Sequence, residues 1–129
     1  MLSTDRSALM PGSPTHARLA SYAERLGSLS VLVVGARSAR AAAGNLSVEG
    51  LPGTRLMRPW TIARAVRARL SSGAFDVVTA QDPFETGLGA LWGIRRARRI
   101  RSASGMNSAR EARTEVPLHV QVHTDFLSP

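Results

Sequence analysis

The sequence of 129 residues contains no cysteine, which excludes a disulfide framework, a thiolate zinc site and a cysteine nucleophile together. It also contains no lysine: all seventeen basic residues are arginine, set against nine acidic ones for a net charge of +8. Two readings of that bias stand side by side. Codon usage in a GC-rich genome would give it together with the many alanines, and a demand for anion binding would give it through the guanidinium's fit to phosphate. Aromatic residues number six. No apolar run approaches the roughly 18 residues of a membrane span. The opening Met1 to Arg6 carries an acid and no apolar stretch, unlike a signal peptide. With 43% hydrophobic and 20% charged residues, the chain predicts one soluble, cytoplasmic, globular domain over residues 1–129.

Hydrophobic patterning alternates. Val31-Leu32-Val33-Val34, closed by Gly35, is a β-branched run suited to a strand buried on both faces. Phe75 to Ala80 is a second run, Leu118 to Val122 a third that alternates, Asn45 to Glu49 a weak fourth, and Met1-Leu2-Ser3 a stub. Between them lie helices. Ser13 and Pro14 are an N-cap and a first helical position, followed by the apolar stripe Leu19, Tyr22, Ala23, Leu26 and by Gly27 as the stop. Pro59 opens a second helix with Ile62, Val66 and Leu70 on one face. Asp82-Pro83-Phe84-Glu85 opens a third by a capping box, and its expected apolar face is Phe84, Leu88, Leu91 and Trp92. Ala36 to Gly44 and Ser102 to Glu115 read as loops. No internal repeat is evident. The alternation predicts an α/β fold with a Rossmann-like, doubly wound parallel sheet, whose ligands bind at the carboxyl ends of the strands.

At those ends, Pro11-Gly12-Ser13-Pro14 leads into a helix start suited to an anion, although neither nucleotide fingerprint is present. Gln81, Asp82 and Glu85 follow the second run; capping explains Asp82 and Glu85 but not Gln81. His123, Thr124 and Asp125 follow the last strand. His119 and His123 would share a strand face about 13 Å apart, too far to chelate one zinc ion at about 2 Å from each. His123 and Asp125 could pair, which would orient the imidazole. No serine is placed to complete a hydrolytic triad.

Taken together, Phe75-Asp76-Val77-Val78-Thr79-Ala80-Gln81-Asp82-Pro83-Phe84-Glu85-Thr86-Gly87 and Val116 to Phe126, with its His123-Thr124-Asp125-Phe126, resemble the N-terminal half of family 4 glycosyltransferases. Met1 to Arg6, Ser13, Arg18 and Tyr22-Ala23 also resemble one bacterial branch of that family. The resemblance implies a GT-B enzyme that moves a sugar from a nucleotide-sugar donor to a glycan or lipid-linked acceptor. The nucleotide-sugar is a co-substrate, and neither a metal nor another cofactor is implied. By that resemblance His123 is the catalytic-site histidine that reaches the transferred sugar. Gly12, Ser13, Thr124 and Asp125 would lie near the donor phosphate and sugar, and Gln81, Asp82 and Glu85 would line the acceptor side. The chain would stop before the C-terminal domain that holds most of the donor, so it would not transfer sugar alone.

Arg95, Arg96, Arg98, Arg99 and Arg101 crowd the end of the third helix. At about 100° per residue they spread around its circumference, as a solvated end complementing the helix dipole. The functional alternative is contact with anionic lipid at the inner face of the membrane. Two rival functions remain. A non-catalytic half-domain could dock on a separate chain. A basic nucleic-acid-binding module is disfavoured, because no aromatic residue is interleaved with the arginines and no known motif is present, so no nucleic-acid partner is expected.

Overall fold

A computed structural model describes residues 1–72, 75–103 and 118–120, and shows a mixed α/β fold whose strands pair mostly in parallel. The chain divides into two compact units, Met1–Arg58 and Pro59–Pro129.

In the first unit the strands β1 (Leu2–Ser3), β2 (Leu29–Val34), β3 (Arg40–Ala43) and β4 (Leu46–Leu51) lie in the order β3-β4-β2-β1. β1 is the expected stub. It is nevertheless buried, and it runs parallel to β2 with Leu2 opposite Leu32. The terminal amine of Met1 donates to the Ser30 carbonyl, which fixes the start of this pairing. β2 and β4 are parallel, with Val31 opposite Val48. All four residues of Val31–Val34 are buried, as a strand covered on both faces requires.

β3 corrects two expectations. The segment read as a loop holds a strand, and that strand is antiparallel to β4, so the sheet is not wholly parallel. Alanines without β-branching hid it from the pattern. A two-residue turn, Gly44-Asn45, closes the hairpin, and Gly44 takes the positive φ of 53° that such a turn needs in its first position. Arg40 pairs across the strands with Glu49 at 3.4 Å.

Helix α1 (Pro14–Leu26) covers one face of this sheet. Its cap is the expected one: Ser13 Oγ accepts from the His16 N–H at 3.1 Å, and Gly27 ends the helix at φ 82°. Of the expected stripe Leu19 and Ala23 are buried, whereas Tyr22 and Leu26 are exposed and His16 is buried instead. A 3₁₀ turn over Arg6–Leu9 packs against the helix. Its Ala8 carbonyl receives the His16 ring Nδ1 at 2.8 Å, drawing that histidine into the core.

The second unit contains helix α2 (Arg58–Ser72, with Arg58 still in the first unit), strand β5 (Val78–Ala80), helix α3 (Leu88–Ala103) and strand β6 (Leu118–Val120). β5 and β6 are parallel, with Thr79 opposite His119. β5 is shorter than its pattern suggested, and Val77 is half exposed, outside the strand; Gln121 and Val122 of the last pattern lie outside the described residues.

α3 departs most from expectation. Among its described side chains Ala90, Ile94 and Ala97 are buried, with Gly89 and Gly93 beside them. The expected core residues Phe84, Leu88 and Trp92 are 81%, 41% and 42% exposed, and Leu91 is intermediate. Close helix packing is the reason. A Cβ at Gly89 would stand 2.8 Å from the Ile62 side chain, and one at Gly93 2.9 Å from the Ala63 carbonyl. Only small residues fit at those two points, so Leu88 and Trp92 face outward while Ile94 is buried beside the seam. The ordering of these contacts also makes α2 and α3 side-by-side neighbours running in the same direction. α3 includes Ser102 and Ala103 from the stretch expected to be a loop; positions 104–117 lie outside the described residues.

Candidate functional site

The carboxyl ends of the strands in the first unit carry a connected polar cluster. Asp5, just after β1, caps the 3₁₀ turn: its Oδ1 accepts from the Ser7 N–H at 2.9 Å and the Ser7 hydroxyl at 2.7 Å. Its Oδ2 accepts from the Thr15 hydroxyl at 3.1 Å, which ties the turn to the start of α1. The bonds to Ser7 outweigh the opposing effect of burial and, with further help from Thr15 and the charge of Arg18, hold the Asp5 carboxyl below the usual carboxylate range.

One residue further, Arg6 donates from Nη2 to the Gly35 carbonyl at 3.0 Å, just beyond β2. A second guanidinium reaches the same place. A Cβ at residue 35 would lie 2.7 Å from Arg58 Nη2, and the backbone there has φ 74°, so both space and conformation call for glycine. Two guanidiniums thus meet at the end of the sheet's central strand. Planar, permanently charged donors suit a phosphate or carboxylate ligand.

The expected site residues fall in three groups. Gly12 and Ser13 begin α1 as foreseen, but the Ser13 hydroxyl is engaged, donating to the Ser7 carbonyl at 2.6 Å while capping His16. Gln81, Asp82 and Glu85 come together at the carboxyl end of β5. The Asp82 carboxylate is wholly occupied as a cap: Oδ1 accepts from the Glu85 N–H at 2.8 Å, and Oδ2 from the Thr86 hydroxyl at 2.8 Å. The oxygen that accepts from the Asp82 N–H is that of Thr86, at 3.2 Å, where the capping-box pattern assigned Glu85. The turn Pro83–Gly87 is π-helical, with the Gly87 N–H bonded to the Asp82 carbonyl at 2.9 Å. His123, Thr124 and Asp125 lie outside the described residues.

Sequence reasoning placed Arg6 after the first strand without giving it a role and missed Arg58; both reach Gly35 only in the folded chain. It also missed a cleft of about 420 Å³ in the second unit, lined by Trp60, Trp92, Arg95, Arg96 and Arg99. The Arg96 guanidinium carbon stands 4.5 Å from the Trp60 ring centroid, within cation–π range. The two indoles meet edge to face at 6.4 Å. The arginines expected to spread around α3 therefore contribute three members to one place, and an aromatic from another helix is interleaved with them.

Among the described residues no group of three or more potential ligands could hold a metal ion, and no helix is long and apolar enough to cross a membrane. No protein-family model, curated protein or solved structure matches the chain.

Proposed function

We propose that this chain is the acceptor-side, N-terminal part of a GT-B glycosyltransferase, with a Rossmann-like doubly wound sheet. It would act on a nucleotide-sugar donor and a glycan or lipid-linked acceptor. The observation that carries the reading is the meeting of Arg6 and Arg58 at Gly35, at the carboxyl edge of parallel strands. That edge is where ligands of such sheets bind. The sequence blocks around Gln81 and His123 support the same assignment.

In the reaction, the bond from the anomeric carbon to the diphosphate oxygen breaks and a bond to the acceptor oxygen forms. The acceptor loses its proton, and the diphosphate leaves with the extra negative charge. Arg6 and Arg58, with the Gly12-Ser13 helix start, supply positive potential where that charge appears. His123 would hydrogen-bond the sugar as its ring becomes cationic, with Thr124 and Asp125 beside it, and Gln81 would hold an acceptor hydroxyl.

Two measurements test the reading. Pyrophosphate and a panel of nucleoside-diphosphate sugars, titrated into the isotopically labelled chain, should shift the amide resonances of Ser13 and Gly35 saturably. Arg6→Ala should weaken that binding about tenfold, the effect of losing one charge-assisted hydrogen bond. In the protein isolated from its source cells, His123→Ala should abolish sugar transfer. Unmoved Ser13 and Gly35 resonances at millimolar ligand, or full transfer by the His123 variant, would overturn the assignment.

A further inference from the structure

With α2 and α3 side by side, a repeat in the sequence becomes visible. Trp60-x-Ile62-x-Arg64-Ala65-x-Arg67-x-Arg69 recurs as Trp92-x-Ile94-x-Arg96-Ala97-x-Arg99-x-Arg101, thirty-two residues later, with six of ten positions identical. This corrects the expectation of no internal repeat, which intervening strand β5 had obscured. In both copies the isoleucine is buried and the tryptophan is about half exposed. The arginines at Trp+4 and Trp+7 are exposed in both. Helical register sets those three residues on one face of each helix.

The helices run in the same direction, with Gly89 against Pro59 and Ile62 and Gly93 against Ala63 and Val66. The two copies therefore lie side by side, displaced along the helices by about one turn. Trp60 and Trp92 touch at one end, and Arg64, Arg67, Arg96 and Arg99 continue along both helices. Phe84 and Leu88, also exposed, precede Trp92 on the α3 side. The face thus passes from apolar and aromatic at its start to basic along its length.

We infer that this two-helix face docks on an anionic lipid surface. Tryptophan and phenylalanine settle at the boundary between headgroups and acyl chains, while arginines at headgroup level meet lipid phosphates. Charge complementarity selects the occupant, because four arginines and no acid occupy the repeat positions that face outward. The apolar lead-in selects a membrane over a polyanion in solution: Phe84 at 81% exposure gives insertion a purpose that phosphate pairing alone does not require. The inference is independent of sugar transfer, since none of its residues belongs to the strand-end cluster.

The test is binding of the full chain to vesicles containing phosphatidylglycerol, against vesicles of phosphatidylcholine alone. It is read by co-sedimentation and by tryptophan emission. Binding to the anionic vesicles, a blue-shifted emission and release by salt are expected. Each of Arg64, Arg67, Arg96 and Arg99 changed to Ala should weaken binding about fivefold. Trp92→Ala should reduce both binding and the blue shift. Arg25→Ala with Arg37→Ala removes two exposed charges elsewhere and should leave most of the affinity, which separates the face from net charge; circular dichroism confirms that each variant is folded. Three results would overturn the proposal: equal binding to neutral vesicles, equal losses in the control pair, or binding of an oligonucleotide without binding of anionic vesicles.

Discussion

β2 and α3 both carry large apolar side chains, and the chain disposes of them in opposite ways. In β2 the run Val31–Val34 is buried residue by residue. At α3 the large residues Leu88 and Trp92, and Phe84 in the turn before it, stay at the surface, while Gly89 and Gly93 pack against α2. The difference teaches that hydrophobicity identifies which residues have a strong preference, whereas the geometry of the neighbour decides which can be buried. A strand between strands accepts side chains on both faces. A helix held close to its neighbour accepts only small ones at the points of closest approach, and Leu88 and Trp92 are left for another surface.

Substitutions can break or sharpen that contrast. The largest effect should come from the sheet: Leu46→Ala, at a residue only 1% exposed, should cost about 2–5 kcal/mol in denaturant unfolding. Gly93→Ala comes next and tests the seam. Helix propensity alone would make it stabilising by about 1 kcal/mol, but the added Cβ would lie 2.8 Å from Val66 Cβ. Overpacking should win, with a net loss of about 1–3 kcal/mol. Phe84→Ser should change stability by less than about 0.5 kcal/mol, as at other exposed sites.

The smallest effect concerns pH. The native Asp5 carboxyl is held low by Ser7, so its stabilisation is present above the unfolded value of about 3.9 and disappears as pH falls through the native value. Asp5→Asn should therefore flatten the acid side of the stability profile and leave its shape above pH ~5 unchanged. Urea midpoints measured across that range would show this.

Much of the first unit was legible in the sequence. Val31–Val34 announced β2, and Ser13-Pro14 and Gly27 bounded α1; in the second unit, Asp82 capped its turn as its position before proline suggested. β3 was not legible, because Arg40-Ala-Ala-Ala carries no strand preference and owes its conformation to pairing with β4. The α3 face was misread because periodicity defines a stripe without saying which side has room for it; Gly89 and Gly93, one turn apart, were the available signal. At the candidate site, Ser13 and Asp82 were visible through local capping rules. The approach of Arg6 and Arg58 to Gly35 was hidden, since it arises only in the folded chain. The pairing of Trp60 with Arg96 was hidden in the same way, though the repeated Trp-x-Ile-x-Arg spacing carried it.

The most direct test of this account is the thermal unfolding midpoint of the triple variant Phe84→Ser, Leu88→Ser, Trp92→Ser beside that of Leu46→Ala. If the outward face of α3 serves a surface other than the core, the triple variant unfolds close to the parent while Leu46→Ala falls well below it. A triple variant as destabilised as Leu46→Ala would show that these side chains hold the fold together, and the contrast between the two regions would be wrong.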